Sequence, residues 1–246
     1  MKVRSLIIGG GEIGTSLKKV LDKRKVKEKA VIVDIKDKDY SKKISTLKGE
    51  VMHICYPYSK GFATSCLKYI TEFEPILVII HSTIPVGTTS ILQKIVGKKI
   101  YIVHSPVRGN HPDLEKSLLT FTKYIGTKDN VAYLRAKTEL SNIRTVWLKK
   151  SEETELGKLM CTSYYGLCIA WHREMERFCK KFNVRFEDAV IEFNKTYNEG
   201  YNKLRPNVIR PILSSPGNKK IGGHCVIPNA IILNSQIESD FLKLIK

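Results

Sequence analysis

The feature that most constrains the fold of this 246-residue chain is the run "VRSLIIGGGEIG" near its N-terminus. A short apolar stretch, typical of a buried strand, leads directly into three glycines and then into a stretch with helical periodicity. Gly9, Gly11 and Gly14 have the GxGxxG spacing, which allows a tight turn, close approach of a pyrophosphate to the backbone, and packing of helix on strand. The run therefore predicts a dinucleotide-binding βαβ unit.

The sequence up to residue 148 continues this alternation of short apolar runs and helical stretches. Strands are predicted at "AVIVD", "VMHICYP", "ILVIIHST" and "IYIVHSP", with "KYIGT" and "RTVWL" completing the sheet, and helices at "FATSCLKYITEF" and "TTSILQKIV". The strand runs are almost continuously apolar, which is typical of parallel strands covered on both faces. We therefore expect an α/β protein whose residues 1–148 form a Rossmann domain.

The sequence pattern becomes purely helical after Ser151. This serine is a suitable N-cap for a long helix over 152–181. A second helix is predicted over 186–198, and prolines and glycines then interrupt regular structure until residue 222. A terminal helix is predicted over 229–246. Residues 149–246 are thus expected to form an all-helical domain built around one long central helix.

Asp34 indicates which dinucleotide the first domain takes. It ends the second predicted strand, twenty residues beyond Gly14. A carboxylate there accepts hydrogen bonds from both ribose hydroxyls and repels a 2′-phosphate, so NAD is predicted rather than NADP. Cofactor contacts are predicted at Gly9, Gly11, Glu12, Ile13, Gly14, Asp34, Pro57, Ser82 and Thr83.

The formal net charge of +18 does not by itself predict a nucleic-acid partner. The lysines are spread along the chain, often beside acids, which favours a solvated surface first and steering of an acidic small molecule second. No basic stripe or nucleic-acid-binding motif is present. With no apolar segment of about 18 residues, no signal peptide and no CxxC pair or zinc spacing, the sequence predicts a cytoplasmic protein with reduced thiols and no metal.

Three further motifs resemble those of one enzyme family. They are "HSTIPVGTT" at 81–89, "ETELGKLMCTSYYGLCIAWHREME" at 153–176, and "IGGHCVIPN" at 221–229. Together with the glycine motif, they resemble the UDP-glucose/GDP-mannose dehydrogenases, and the last is similar to the UDP-N-acetylmannosamine dehydrogenase branch. The resemblance implies oxidation of a sugar alcohol at C6 to a carboxylate with two NAD.

The resemblance also implies roles for individual residues. Cys225 would add to the aldehyde as a thiohemiacetal, which a second oxidation converts to a thioester. Lys158 would stabilise the developing oxyanion, and Thr83 would hydrogen-bond a reacting hydroxyl or water. Thr162 stands where the family has an asparagine. The helix 152–181 would pair with its copy in a homodimer, with Tyr164 and Trp171 as suitable contact residues.

Two departures from the family leave the substrate open. Val107 occupies the position of a family glutamate, and the chain ends at Lys246, before the further domain that grips the nucleotide of the sugar nucleotide. A truncated form lacking the UDP-binding domain is therefore predicted. Polar residues before the cysteine motif and within it are candidates for binding a polar, anionic substrate: Arg108, Asn110, His111, Tyr201, Arg210 and His224.

The sequence thus predicts an NAD-dependent dehydrogenase acting on a polar, anionic sugar-type alcohol or aldehyde. Two alternatives stay open. Because Val107 replaces a carboxylate, the enzyme could perform only a two-electron oxidation without thioester hydrolysis. Alternatively, the chain is an NAD-binding or regulatory protein that keeps the fold without turnover. Nucleic-acid binding through the net charge is a third hypothesis, and it requires an affinity that depends steeply on salt.

Overall fold

The computed structural model of the chain describes residues 2–24, 28–110, 112–215 and 225–245. The chain divides into two compact units, Met1–Lys158 and Leu159–Lys246. This division falls inside a helix, Ser151–Lys181, ten residues after the boundary expected from the sequence. The first turns of that helix pack with the sheet, since Thr154 and Glu155 are hydrogen-bonded to residues of the first unit.

The described part of the first unit contains a seven-stranded sheet in the order β2-β1-β3-β4-β5-β6-β7. Neighbouring strands are parallel except β5 and β6, which pair antiparallel through His104 and Gly126. The expectation of a purely parallel sheet is therefore wrong at this one place. The strands are β1 Lys2–Ile8, β2 Val31–Val33, β3 Lys48–Ile54, β4 Leu77–Ile80, β5 Tyr101–His104, β6 Lys123–Gly126 and β7 Thr145–Leu148.

In the described part of this unit, six helices connect these strands. Three of them lie where the sequence predicts them: α1 Glu12–Asp22, α3 Phe62–Phe73 and α4 Thr88–Val96. The other three have no predicted counterpart: α2 Tyr40–Thr46, α5 Leu114–Thr120 and α6 Asn130–Glu139. α2 and α5 have only seven residues each, and α6 buries only the small side chains of Ala132 and Ala136 with Glu139, so all three carry little helical periodicity.

Apolar clusters cover both faces of the sheet. On one face Leu6 and Met52 pack with Phe62 and Phe73 of α3. On the other face, a second apolar cluster contains Ile7, Leu17, Val20, Ile79 and Ala132. All four residues of β4 are buried, because this central strand is covered on both sides, and this explains its continuous apolar run.

The second unit is helical in its described part. It contains most of α7 (Ser151–Lys181), a π-helical segment (Glu187–Glu192) that leads into α8 (Phe193–Tyr201), a 3₁₀ turn at Pro206–Val208, α9 (Val226–Gln236) and α10 (Asp240–Lys243). The predicted fold class is confirmed, including the long helix. No helix in the described ranges is both long enough and apolar enough to cross a membrane.

The single terminal helix expected over 229–246 is wrong. Two helices occupy this segment, and the first, α9, begins at Val226. It can include Pro228 because this residue lies in the first turn, where a missing N–H costs no hydrogen bond. It ends at Gln236, after which Ile237 and Ser239 adopt extended backbone conformations. The Asn234 side chain accepts a hydrogen bond from the Ser239 amide at 3.0 Å, which stabilises this break.

A buried ionic cluster around Glu139 ties together distant parts of the first unit. The Glu139 carboxylate, only 1% exposed, lies 2.7 Å from the Arg24 guanidinium and accepts the Ser5 hydroxyl at 2.7 Å. His53 Nε2 lies 3.2 Å from the same carboxylate. Burial alone would raise the pKa of Glu139, but the hydrogen bond and charge of His53, the charge of Arg24 and the Ser5 hydroxyl lower it to about 2.

The cluster continues towards the carboxyl end of β5. His81 Nδ1 donates to the Ser105 carbonyl at 2.9 Å, and burial lowers the pKa of His81 well below its usual range, so this ring is neutral. Its Nε2 therefore accepts a hydrogen bond, and His53 Nδ1 donates at 2.9 Å. The His53 ring thereby connects the Glu139 carboxylate to His81 and the end of β5.

We predict that Glu139→Gln lowers the free energy of unfolding by about 3–5 kcal/mol at pH 7, because it leaves the buried Arg24 guanidinium without its counter-charge. The folded-state pKa of Glu139 lies below the unfolded value, so its contribution is present above about pH 5 and is lost as the pH falls towards 2. Urea unfolding between pH 7 and pH 3 measures this.

Glu115→Gln is the matched control, because Glu115 also faces two cations, Lys19 and Lys23, but at the surface. Its cost should be small, because solvent screens these surface pairs. Equal costs for the two variants would contradict a special role of the buried cluster.

Candidate functional site

The glycine motif forms the predicted turn between β1 and α1. Gly9 has φ 104°, a left-handed conformation that favours glycine. A Cβ at Gly14 would lie 1.9 Å from the Gly9 carbonyl oxygen, so the helix can approach the strand only with glycine there. A Cβ at Gly11 would meet no described atom within 4 Å, which leaves the backbone open at the start of α1. This cradle fits a pyrophosphate at a helix N-terminus.

Asp34 lies beside this turn, directly after β2. Its carboxylate accepts hydrogen bonds from the amides of Gly10 at 2.6 Å and Lys36 at 2.9 Å. These bonds hold the side chain against the glycine turn. A carboxylate in this place can accept ribose hydroxyls, as the sequence predicts.

A cavity of about 370 Å³ opens next to Asp34. Of the predicted cofactor residues, Gly9, Gly11, Asp34 and Pro57 line it, whereas Glu12, Ile13 and Gly14 form the first turn of α1. Other residues line the cavity that the sequence motifs did not predict, among them Ile35, Lys36, Tyr56, Ser65 and Tyr69. Ile35 and Lys36 directly follow Asp34 and could have been inferred, whereas Ser65 and Tyr69 enter through the packing of α3.

Ser82 and Thr83 follow β4 at the carboxyl edge of the sheet. The Ser82 hydroxyl donates to the Tyr56 carbonyl at 2.6 Å, so this side chain holds the loop after β3. Thr83 is half-buried between two buried neighbours, Ser82 and Ile84. Its hydroxyl makes no hydrogen bond to another described residue, which leaves it available to a ligand as the resemblance implies.

Lys158 is half-buried on α7, in the first unit. It lies within electrostatic reach of His104, the last residue of β5: burial, with smaller effects from the charges of Lys123 and Lys158, lowers the pKa of His104 to about 3. His104 Nε2 in turn donates to the Ser82 carbonyl at 3.1 Å. Lys158 and the Ser82–Thr83 segment are therefore brought to the same edge of the sheet.

A second cation, Lys123, is buried at this edge because β6 runs antiparallel to β5. Its ammonium donates to the carbonyls of Ser105 at 2.7 Å and Pro106 at 3.1 Å. Burial, with the charges of Lys158 and Arg108, lowers the pKa of Lys123 to about 7. The sequence analysis missed this lysine, since a buried position within a lysine-rich chain has no local signal.

Arg108 and Asn110 were substrate candidates in the loop that follows β5. The Arg108 guanidinium donates to the Thr122 carbonyl at 2.7 Å and lies over the rings of Phe121 and Tyr124, so much of its binding capacity is used within the first unit. Asn110 is exposed, and its main-chain N–H donates to the Ser117 hydroxyl at 3.2 Å. His111 and His224 lie outside the described residues.

The other candidates lie in the second unit. The Arg210 guanidinium lies 3.5 Å from the centroid of the Tyr197 ring, and its main chain pairs with the Asn198 side chain on both sides. Tyr201 ends α8 and packs against Tyr197 at 4.7 Å between ring centroids. Arg210 lines a cavity of about 1130 Å³ within this unit, together with Trp171, His172, Asn194, Pro211, Phe241 and others.

Cys225 occupies the N-cap position of α9 and is half-buried. The sequence analysis placed it in an irregular loop, but a helix begins at the next residue. Thr162 is half-buried on α7, four residues after Lys158. Within the described ranges, no group of histidine, cysteine or acidic side chains could hold a metal ion.

No protein-family model matches the chain. In sequence it is similar to the UDP-N-acetyl-D-mannosamine dehydrogenase of Methanococcus vannielii, at 28% identity over 210 residues that cover 78% of this chain and 46% of that protein. The chain spans less than half the length of the curated relatives that it matches.

Solved structures share the fold. The UDP-D-ManNAc dehydrogenase of Pyrococcus horikoshii matches 100% of this chain and 68% of its own, with a TM-score of 0.79 and 20% identity. The 3-hydroxyisobutyrate dehydrogenase of Mycobacterium tuberculosis matches 99% of this chain and 91% of its own, with a TM-score of 0.71 and 12% identity. The resemblance predicted from the motifs is thereby confirmed: the chain is similar in sequence to curated UDP-N-acetyl-D-mannosamine dehydrogenases and has their Rossmann-type fold.

Proposed function

We propose that this protein is an NAD-dependent dehydrogenase that oxidises a polar, anionic sugar-type alcohol or aldehyde. The observation that carries the proposal is the placement of Asp34 against the open glycine turn, beside a cavity of about 370 Å³. The sugar class comes from the names of the curated relatives, which are UDP-N-acetyl-D-mannosamine dehydrogenases.

Residues of the first unit would hold the dinucleotide. The amides at the start of α1 would bind its pyrophosphate, and Asp34 would accept its ribose hydroxyls. NAD, when bound, supplies the acceptor for the hydride that leaves the carbinol carbon. Lys158 and Thr83 would lie at the reacting end, where the lysine charge stabilises the developing alkoxide and the threonine hydroxyl orients the substrate oxygen.

Cys225 would provide covalent catalysis on the aldehyde. Its thiolate would add to the carbonyl carbon, and the carbonyl oxygen would take up a proton, which gives a thiohemiacetal. Loss of a hydride from that adduct to a second NAD, and of its hydroxyl proton to solvent, would leave a thioester, and water would then release a carboxylate and restore the thiol. A cysteine suits this step, because sulfur is both a good nucleophile and a good leaving group.

Val107 bears on whether the second oxidation is completed. This side chain is buried and apolar at the position where the family carries a glutamate. Without that carboxylate, activation of the water that cleaves the thioester needs another group. A two-electron oxidation that releases the aldehyde, so that no thioester forms, is therefore the second candidate, and the ratio of NADH to substrate consumed decides between the two.

The function is tested by incubating the protein with NAD and a panel of sugar nucleotides, simpler hydroxy acids and the matching aldehydes. NADH formation from a sugar-type compound is the expected result, and two NADH per alcohol indicate four-electron oxidation. NAD binding in calorimetry without turnover on any compound would instead favour an NAD-binding regulatory protein. Affinity for DNA or RNA that falls steeply with salt would favour the nucleic-acid hypothesis.

We predict that Asp34→Asn weakens NAD binding by about tenfold, because the amide is a poorer acceptor for ribose hydroxyls than the carboxylate. The same change removes the repulsion of a 2′-phosphate, so affinity for NADP should rise relative to NAD. Calorimetric titration with both dinucleotides measures this. Asp39→Asn is the control, since Asp39 is exposed and pairs with Lys43. An unchanged NAD/NADP ratio in Asp34→Asn would contradict the assignment.

We predict that Cys225→Ser lowers the rate of aldehyde oxidation by a factor on the order of 10³ or more, because a hydroxyl is a poorer nucleophile and leaving group than a thiolate. Binding of NAD should be unchanged. The control is Cys161→Ser, which removes an exposed thiol of α7. Full aldehyde oxidation by Cys225→Ser would remove the covalent step from the proposal.

The exposed apolar stripe on α7 supports a homodimer. Tyr164 is 61% exposed, Trp171 56% and Phe178 38%, and the three recur every seven residues on one side of the helix. A second copy of the same helix would cover such a stripe with matching side chains.

We predict that Trp171→Glu reduces the mass of the particle in sedimentation from two chains to one, because a charge at the centre of the stripe would be buried without a partner. Lys180→Ala on the opposite side of α7 should leave the mass unchanged. A wild-type protein with the mass of one chain would contradict the dimer.

A further inference from the structure

The loop that carries Thr83 is joined to α7 by a buried carboxylate, Glu155. This side chain is fully buried, at 0% exposure. It accepts hydrogen bonds from the amides of Gly87 at 2.7 Å and Thr89 at 2.9 Å, and from the Thr89 hydroxyl at 2.6 Å. Three donors thus converge on one carboxylate, although its burial raises the pKa of Glu155.

These three hydrogen bonds fasten the start of α4 to α7. Gly87 is in the N-cap position of α4, and Thr89 lies in its first turn. Amide groups at a helix N-terminus lack partners within the helix, so a carboxylate from elsewhere in the chain satisfies them. Glu155 therefore acts as the N-terminal cap of a helix that lies more than sixty residues earlier in the sequence.

A second tie runs from the neighbouring residue Thr154. Its hydroxyl pairs with His104 Nδ1 at 2.8 Å, and His104 Nε2 donates to the Ser82 carbonyl at 3.1 Å. Burial keeps the His104 ring neutral, so one ring nitrogen donates a hydrogen bond and the other accepts one. Since Nε2 donates to the Ser82 carbonyl, Nδ1 accepts from the Thr154 hydroxyl. The Ser82 carbonyl belongs to the peptide bond that joins Ser82 to Thr83. The hydrogen bond from His104 therefore holds the backbone next to the Thr83 side chain in place.

Steric contact reinforces both ties. A Cβ at Gly126 would lie 2.3 Å from the Thr154 hydroxyl and 2.9 Å from the Lys150 carbonyl, so the start of α7 lies directly against the end of β6. Lys158 follows Glu155 by three residues on the same rigid helix, which is about one turn. The position of Lys158 relative to Thr83 is therefore set by how this first part of α7 is held.

We propose that Glu155 is a positioning residue, which, together with the Thr154–His104 tie, holds Lys158 of α7 in register with Thr83 of the loop 82–89. The inference rests on the proposed function for its catalytic meaning, but the coupling itself is a property of the first unit alone. Glu155 does not touch the reacting atoms. It sets the distance between two residues that do.

The test uses the full chain and a graded set of variants. Glu155→Gln replaces one carboxylate oxygen by an NH₂ group that faces hydrogen-bond donors. Thr89→Val removes only the hydroxyl hydrogen bond, and Thr89→Ser keeps it. Glu153→Gln is the control, because it removes the same charge from an exposed position two residues earlier on α7.

We expect kcat to fall at least tenfold in Glu155→Gln and by about threefold in Thr89→Val, with Thr89→Ser and Glu153→Gln close to wild type. The affinity for NAD should stay within about twofold, because the glycine turn and Asp34 are not part of this contact. A purely structural role would instead lower the melting temperature and leave kcat of the folded protein unchanged, and that outcome would overturn the proposal.

A second readout needs no turnover. The lysines are labelled by reductive ¹³C-methylation, and the Lys158 signal is assigned with Lys158→Arg. The titration midpoint of Lys158 should shift in Glu155→Gln and in Thr89→Val but not in Thr89→Ser. If wild type makes no NADH, the proposed function fails, while this titration still decides the coupling: an unmoved Lys158 signal in Glu155→Gln would reject it.

Discussion

The first unit depends on one buried carboxylate, Glu139, which joins three segments that are far apart in sequence. It accepts a hydrogen bond from Ser5 on β1, forms an ion pair with Arg24 after α1, and contacts the ring of His53 on β3. In a low-dielectric interior such a group is tolerated only when every partner is present, so the cluster specifies how α1, α6 and the sheet fit together. From His53 the chain of contacts continues through His81 to the Ser105 carbonyl, where β5 ends.

The same kind of contact recurs at the carboxyl edge of the sheet, where the proposed chemistry lies. Lys123 holds the Ser105 and Pro106 carbonyls, His104 holds the Ser82 carbonyl, and Glu155 holds the amides of α4. Each of these buried polar groups is bonded to main-chain atoms of another segment. The loops that would meet a dinucleotide are therefore fixed by side chains on strands and on α7, which is how a precise site is built from irregular segments.

The net charge of +18 has a local counterpart at this edge. Burial lowers the pKa of Lys123 to about 7, and the nearby charges of Lys158 and Arg108 contribute to this shift. Such a group changes its protonation near neutral pH, and the local positive potential favours anionic ligands. The electrostatics thus agree with an anionic substrate, although the sequence alone attributed the charge mainly to a solvated surface.

The sequence by itself determined the features that depend on neighbouring residues. The glycine turn, Asp34 directly after β2 and the bounds of α3 and α4 follow from local periodicity and from the steric needs of a tight turn, and α7 begins at Ser151, one residue before its predicted start. Tertiary structure alone decided the antiparallel β6, the break between α9 and α10, and the contacts of Glu139, Glu155 and Lys123. These contacts join residues up to 135 positions apart, and a lysine or glutamate has the same local signal in a core as on a surface. Whether such a charge is buried depends on partners that only the folded chain brings within hydrogen-bonding distance.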